Sequence, residues 1–286
     1  MRTPDIPSPV RHTRRPNVAF PPGACDCHAH VFGPQSQYPI VPDTHYVPQE
    51  CLLPDYVRML RTIGCERAVL VQPSVYGTDN RAMLDALTSG AFPLRGVAVV
   101  REDATDRELE DLHAAGVRGI RINIASATAG LKLEHAPRLA ERIRHLGWHL
   151  QIFMHFQPEL AGHLASLRAN IVIDHFGGLP AVEGPDSPRV KALLELLRRE
   201  HCWAKLMGPY FASQAAPRYA DLVPLARAMV EAAPDRLVWG TDWPHPGARA
   251  HMPDDGELAD MLAEWVPDKA QRRRILADNP QRLYDF

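Results

Sequence analysis

The chain has 286 residues, of which 45% are hydrophobic and 23% charged, enough for one large globular domain with a substantial core. A formal net charge of −2 makes no electrostatic case for nucleic acid or an anionic membrane surface, which leaves a small-molecule enzyme as the favoured class. No apolar run reaches the roughly 20 residues that cross a bilayer. The cysteines, Cys25, Cys27, Cys51, Cys65 and Cys202, are sparse and odd in number, a pattern that predicts reduced, buried thiols in a cytoplasmic protein.

Residues 1–24 are Pro-rich and basic (Arg2, Arg11, Arg14, Arg15) and lack the apolar stretch of a secretory signal, so they read as an N-terminal arm before a domain spanning 25–286. Short β-rich runs follow at 25–31, 67–72, 94–100, 117–124, 149–155, 170–176, 202–208 and 236–242. Helical patterns alternate with them near 53–64, 79–89, 104–115, 136–147, 158–168, 187–200, 216–233 and 255–278, and Gly64, Gly116 and Gly147 stand where three of these helices should stop. Eight strand–helix alternations without a Gly-rich first turn predict a single closed (β/α)₈ barrel rather than an open doubly wound sheet. The long Pro- and Tyr-containing segment 32–56, directly after the first strand, would then lie over the catalytic face.

Chemistry-bearing residues gather at the ends of the predicted strands. His28 and His30, two apart at the end of the first, project to one face. The apolar runs Ile171–Ile173 and Leu237–Trp239 lead to His175 and Asp242. In Gly119-Ile120-Arg121-Ile122-Asn123 the apolar residues face one way, and Arg121 with Asn123 the other, toward the inner mouth. Each of these taken singly has a plain structural explanation as a turn or capping residue. Together they describe a catalytic face, because all eight loops at that end of a barrel converge on one cavity.

The motifs Asp-Cys-His-Ala-His-Val-Phe-Gly-Pro, Val-Gln-Pro-Ser-Val-Tyr-Gly-Thr-Asp-Asn, Gly-Val-Arg-Gly-Ile-Arg-Ile-Asn, Ile-Asp-His-Phe-Gly-Gly and Gly-Thr-Asp-Trp-Pro-His occur in that order from about residue 24 onward. In combination they resemble the amidohydrolase-related family, most closely its pyrone-dicarboxylate lactonases. The resemblance implies a distorted (β/α)₈ TIM barrel that opens a cyclic ester with water, in the catabolism of aromatic- or sugar-derived lactones. It implies Asp242 as general base, with His28, His30 and His175 polarising the lactone carbonyl. Binuclear relatives carry a lysine on strand four; here that strand offers Arg121 and Asn123, which argues against a two-metal site. Lactonases of this kind work without a required metal. One divalent ion such as zinc, held by His28, His30, His175 and Asp242, is the alternative, and His155, expected on one face of strand five with Gln151 and Phe153, is a further candidate ligand.

The same resemblance places arginines around substrate carboxylates. Arg121 is retained, but Phe211 stands where an arginine is common, and the stretch after Asn123, Ile-Ala-Ser-Ala-Thr, offers no other. The expected substrate is therefore a less charged lactone than the pyrone dicarboxylate. Ser74, Tyr46 and Tyr76 are expected as hydrogen-bonding partners, and Phe153 as part of the wall. Lys205 is expected as a cationic contact or a solvated strand-end residue, and His245 at the mouth or fixing the turn at Pro244. Competing readings are a metal-dependent decarboxylase or C–C hydrolase of the same superfamily, a sugar-lactone isomerase, and a non-catalytic barrel that binds a small acid. A small-molecule lactone is the expected partner, with no nucleic acid and no membrane; self-association into a homo-oligomer stays open.

Overall fold

The computed structural model describes residues 6–42, 44–125 and 131–286. Eight strands, Cys25–Ala29 (β1), Arg67–Val71 (β2), Leu94–Ala98 (β3), Val117–Asn123 (β4), His149–Phe153 (β5), Asn170–Ile173 (β6), Cys202–Leu206 (β7) and Leu237–Trp239 (β8), form one sheet in chain order. Every neighbouring pair is parallel, from β1–β2 to β7–β8. The ring closes just beyond β8, where the Asp242 N–H donates to the His28 carbonyl (2.9 Å) and the His30 N–H to the Trp243 carbonyl (2.7 Å). Closure thus happens at the C-terminal mouth.

Around the sheet run Leu53–Ile63 (α1), Arg81–Thr88 (α2), Asp106–Ala114 (α3), Ala136–Ile143 (α4), Ala161–Ser166 (α5), Pro188–Leu197 (α6), Val223–Ala232 (α7), Asp255–Trp265 (α8), Lys269–Arg273 (α9) and Asn279–Tyr284 (α10). Local chemistry sets their ends. Helix α1 buries Tyr56, Val57, Met59, Leu60 and Ile63, one helical face, and stops at Gly64, whose φ of 89° suits glycine. Helix α3 opens with a Thr105–Glu108 capping box. The expected helix 255–278 is divided: α8 ends at Trp265, and Pro267, with no N–H to donate, separates it from α9. The expected helix 216–233 begins only at Val223.

Strand alternation divides the core in two. Ala68, Leu70, Ile120, Ile122, Leu150, Ile152, Ile171, Ile173 and Leu206 face the helices. Cys25, Cys27, Val69, Val71, Val97, Val172, Trp203 and Val238 fill the barrel axis, where Leu283 and Tyr284 of α10 join them and plug the bottom. All five cysteines are buried and free. The long loop after β1 folds across the mouth, held by Phe32–Cys51 pairing and by the Val41 N–H donating to the Val75 carbonyl. Of the N-terminal segment, Arg14, Asn17 and Val18 all bond Asp260 of α8. Among the described residues, no helix is long and apolar enough to cross a membrane.

Candidate active site

The site begins with a bulge in β1. Its register advances from Asp26 opposite Ala68 to Ala29 opposite Leu70, three steps against two. The extra residue lets Cys27 fill the barrel axis while His28 also turns inward. Asp26 instead points outward, accepting from the Thr241 N–H and hydroxyl, the His28 N–H and the Tyr56 hydroxyl, which ties β1 to the end of β8 and to α1.

Asp242, His28, His30 and His175 meet at the mouth, each at most 2% exposed. Asp242 Oδ1 lies 3.4 Å from His30 Nε2 and 3.6 Å from His28 Nε2. Its Oδ2 accepts from the Tyr210 hydroxyl. His30 Nδ1 is 2.7 Å from the Val71 carbonyl, an acceptor only, so Nδ1 carries the hydrogen and Nε2 faces Asp242. The His175 ring packs 5.4 Å from His28 and 4.4 Å from each of Phe153 and Phe211. Both His175 (φ 49°) and Asp242 (φ 65°) sit in the left-handed region, an uncommon backbone for such residues that aims them into the cavity.

Burial dominates the electrostatics. It pushes the Asp242 carboxyl up, but the adjoining His30, His175 and His28 outweigh it and hold the acid below the usual range. Burial lowers His175 to about 4 against the pull of Asp242 and Asp174. Burial, reinforced by Lys205, carries His28 well below the ordinary histidine value. At neutral pH the site therefore holds a carboxylate facing at least two neutral imidazoles.

The expected binding residues divide into those at the cavity and those elsewhere. Arg121 reaches the mouth from β4, donating through Nη1 to the Gln72 carbonyl, with Nε 3.8 Å from Asp174. Tyr46, from the covering loop, stands near Ser74 and feels the charges of both Arg121 and Asp242. Phe153 and Phe211, with ring centroids 5.3 Å apart, make an apolar wall beside His175. Tyr76 accepts from the Gly33 N–H and fastens the loop, while Asn123 Oδ1 accepts from the Ala125 N–H of its own turn.

Three expectations need correction. Lys205 is neither a solvated nor a substrate-facing residue: it is 0% exposed and donates to the Cys27 carbonyl and Gln151 Oε1 below the histidines. His155 is exposed and turned to the Gly178 carbonyl, because β5 ends at Phe153 and its alternation ends with it. His245 does not line the mouth but takes the other expected place, in the turn at Pro244: its backbone N–H donates to the Asp242 carbonyl (2.7 Å), and its ring is buried behind Tyr210, 3.2 Å from Asp255. Ser126 and Thr128, in the stretch after Asn123, lie outside the described residues.

Sequence reasoning missed Tyr210, Asp174 and Gln151 as site residues. Asp174 follows Val172 at strand spacing and so faces the axis, a signal that was readable. Tyr210 sits in a 3₁₀ turn, Pro209–Phe211, where no periodicity points to it.

Among the described residues, two groups are spaced to hold a metal ion: His28, His30 and Asp242, and His28, Asp174 and His175. Ligands of a tetrahedral zinc stand about 3.3 Å apart. The 3.4 and 3.6 Å separations around Asp242 Oδ1 are close to that, so by spacing the first group fits an ion.

An eight-stranded parallel barrel with two histidines ending β1, a third after β6 and an aspartate after β8 defines the hydrolase class of barrels whose chemistry sits at the C-terminal mouth. The chain belongs to the amidohydrolase family, whose model matches residues 25–286. It is 38% identical to the 2-pyrone-4,6-dicarboxylate hydrolase of Comamonas testosteroni, over 94% of this chain and 92% of that protein. It is 39% identical to a 4-sulfomuconolactone hydrolase of Rhizobium radiobacter, over 94% and 92%. Among solved structures, one from Agrobacterium tumefaciens superposes with a TM-score of 0.86 at 30% identity, covering 95% of this chain and 98% of the other.

Proposed function

We propose that the chain hydrolyses the lactone of a small organic acid. The observation that carries this reading is the Asp242 carboxylate, sealed from solvent and set against His28 and His30, with its second oxygen held by Tyr210. The two relatives named above open cyclic esters according to their names.

In this mechanism Asp242 takes a proton from a water as the water oxygen bonds to the acyl carbon. His30 Nε2, facing the same oxygen, steadies the proton that Asp242 collects. His28 and His175 polarise the carbonyl and stabilise the oxyanion of the tetrahedral intermediate. Collapse breaks the ring C–O bond, and the proton held by Asp242 passes to the departing alkoxide, leaving a hydroxy acid. Arg121 binds one carboxylate of the substrate, with Tyr46 and Ser74 nearby, and Phe153 and Phe211 favour an apolar edge opposite. A divalent ion such as zinc held by His28, His30 and Asp242 would add Lewis-acid polarisation of the same carbonyl.

A panel of pyrones, muconolactones and aldonolactones, assayed with and without chelator, tests the proposal. Turnover of at least one is expected, with a new carboxylate rather than an isomeric lactone in the product NMR spectrum. Asp242→Asn is expected to lower kcat by about 10³-fold while the protein stays folded, since the amide cannot take the proton. Wild-type activity in that variant, or inertness toward the whole panel, would overturn the assignment.

A further inference from the structure

Beneath the histidines lies a sealed polar cluster that the reaction does not touch: Lys205, Gln151 and Asp174, each 0% exposed. Its hydrogens can be counted. Lys205 Nζ donates to the Cys27 carbonyl at 2.8 Å and to Gln151 Oε1 at 2.7 Å, and its nearest remaining acceptor is His28 Nδ1 at 3.3 Å. An ammonium only donates, so Gln151 must offer it Oε1, which settles the orientation of the amide. Gln151 Nε2 then donates to Asp174 Oδ2 at 3.0 Å and lies 3.4 Å from His28 Nδ1. Two donors converge on one imidazole nitrogen. The competing acceptor for a hydrogen on that nitrogen, Asp174 Oδ1, is farther away at 3.5 Å and has Lys205 Nζ 3.7 Å away.

We propose that Lys205 and Gln151 are positioning residues that keep His28 Nδ1 bare and place its hydrogen on Nε2, the nitrogen that faces Asp242. A nitrogen bearing a hydrogen donates to an oxygen and does not ligate a metal. The buried lysine thus turns a trio of residues spaced for zinc toward polarising a carbonyl without it. The use made of that hydrogen rests on the lactone-opening reading; the tautomer itself does not.

The test is ¹⁵N NMR of the histidine-labelled full-length protein without substrate, the His28 signals being assigned by their loss in His28→Gln. The expected pattern is a protonated Nε2 and a bare Nδ1. Two variants probe the cause: Gln151→Leu, neutral for neutral, and Lys205→Met with Asp174→Asn, which removes both buried charges together. In whichever folds, the hydrogen is expected to redistribute toward Nδ1, zinc binding by equilibrium dialysis to tighten about tenfold, and kcat to fall about 10- to 100-fold with little change in KM. A wild-type spectrum with the hydrogen on Nδ1 overturns the proposal. So does a His28 tautomer unchanged in both variants. Inertness toward every lactone counts against the proposed function alone, because the spectra are read on the resting protein.

Discussion

Tyr210 illustrates how much one side chain contributes here. Its hydroxyl donates to Asp242 Oδ2, and burial, reinforced by that carboxylate, pushes the phenol well above its ordinary range, so it stays a donor at every working pH. Tyr210→Phe is expected to cost about tenfold in kcat with KM nearly unchanged, because the loss falls on the orientation of the base; steady-state kinetics check it. Phe211 is expected to act on specificity through a single side chain as well. Its ring packs on His175, and Gly247 makes room for it, since a Cβ there would fall 2.1 Å from Phe211 Cζ. Phe211→Arg is expected to raise kcat/KM for dianionic over monoanionic lactones by about tenfold, one charge-assisted hydrogen bond. A preference that does not move would mean that the substrate's second charge never approaches this wall.

At the scale of elements, the decisive contact is between the first strand and the last. β1 and β8 come together not through a regular ladder but through the backbone bonds at His28, His30, Asp242 and Trp243, fastened by Asp26. Four donors converge on that one buried carboxylate, from Thr241 twice, His28 and Tyr56. Asp26→Ala would leave them unpaired in the core, with an expected loss of at least about 3 kcal/mol in urea unfolding. The same variant should impair catalysis, because His28 and Asp242 are positioned by the strand ends that Asp26 joins. A loss below 1 kcal/mol would mean that the seam closes without it.

For the molecule as a whole, buried ionisable groups make stability depend on pH. Burial lowers His175 to about 4, and burial with the Lys205 charge lowers His149 to about 3, against about 6.5 for an unfolded histidine. Below about 6.5 the unfolded chain binds protons that the folded one refuses, so this contribution is complete above that pH and is lost on acidification. The Asp242 and Asp174 carboxyls, held below the usual range, act in the same direction at lower pH. Asp26 opposes them: burial raises it to about 6, so it favours the folded state at low pH and loses that effect as pH rises. With His28, three lowered histidines outweigh Asp26 and His245, which Asp255 raises, and Tm is expected to fall by about 10 °C between pH 7 and pH 4.5; calorimetry across that range checks it. A flat or rising Tm would show that these groups are solvated.

The sequence by itself determined the alternation of eight strands and helices, the helix stops at Gly64 and Gly147, and the placement of His28, His30, His175 and Asp242 at strand ends, because these follow from local periodicity and turn chemistry. Depth and partners were decided only in three dimensions. A lysine read alone suggests a solvated end, yet Lys205 is buried, since closing the barrel brings β1, β5, β6 and β7 around its ammonium and supplies acceptors no linear pattern displays. Tyr210 reaches Asp242 from a turn 32 residues away along the chain. His155 lost its expected place because β5 stops two residues short of it. Alternation tells which face a side chain takes; only the closed ring decides what it meets there.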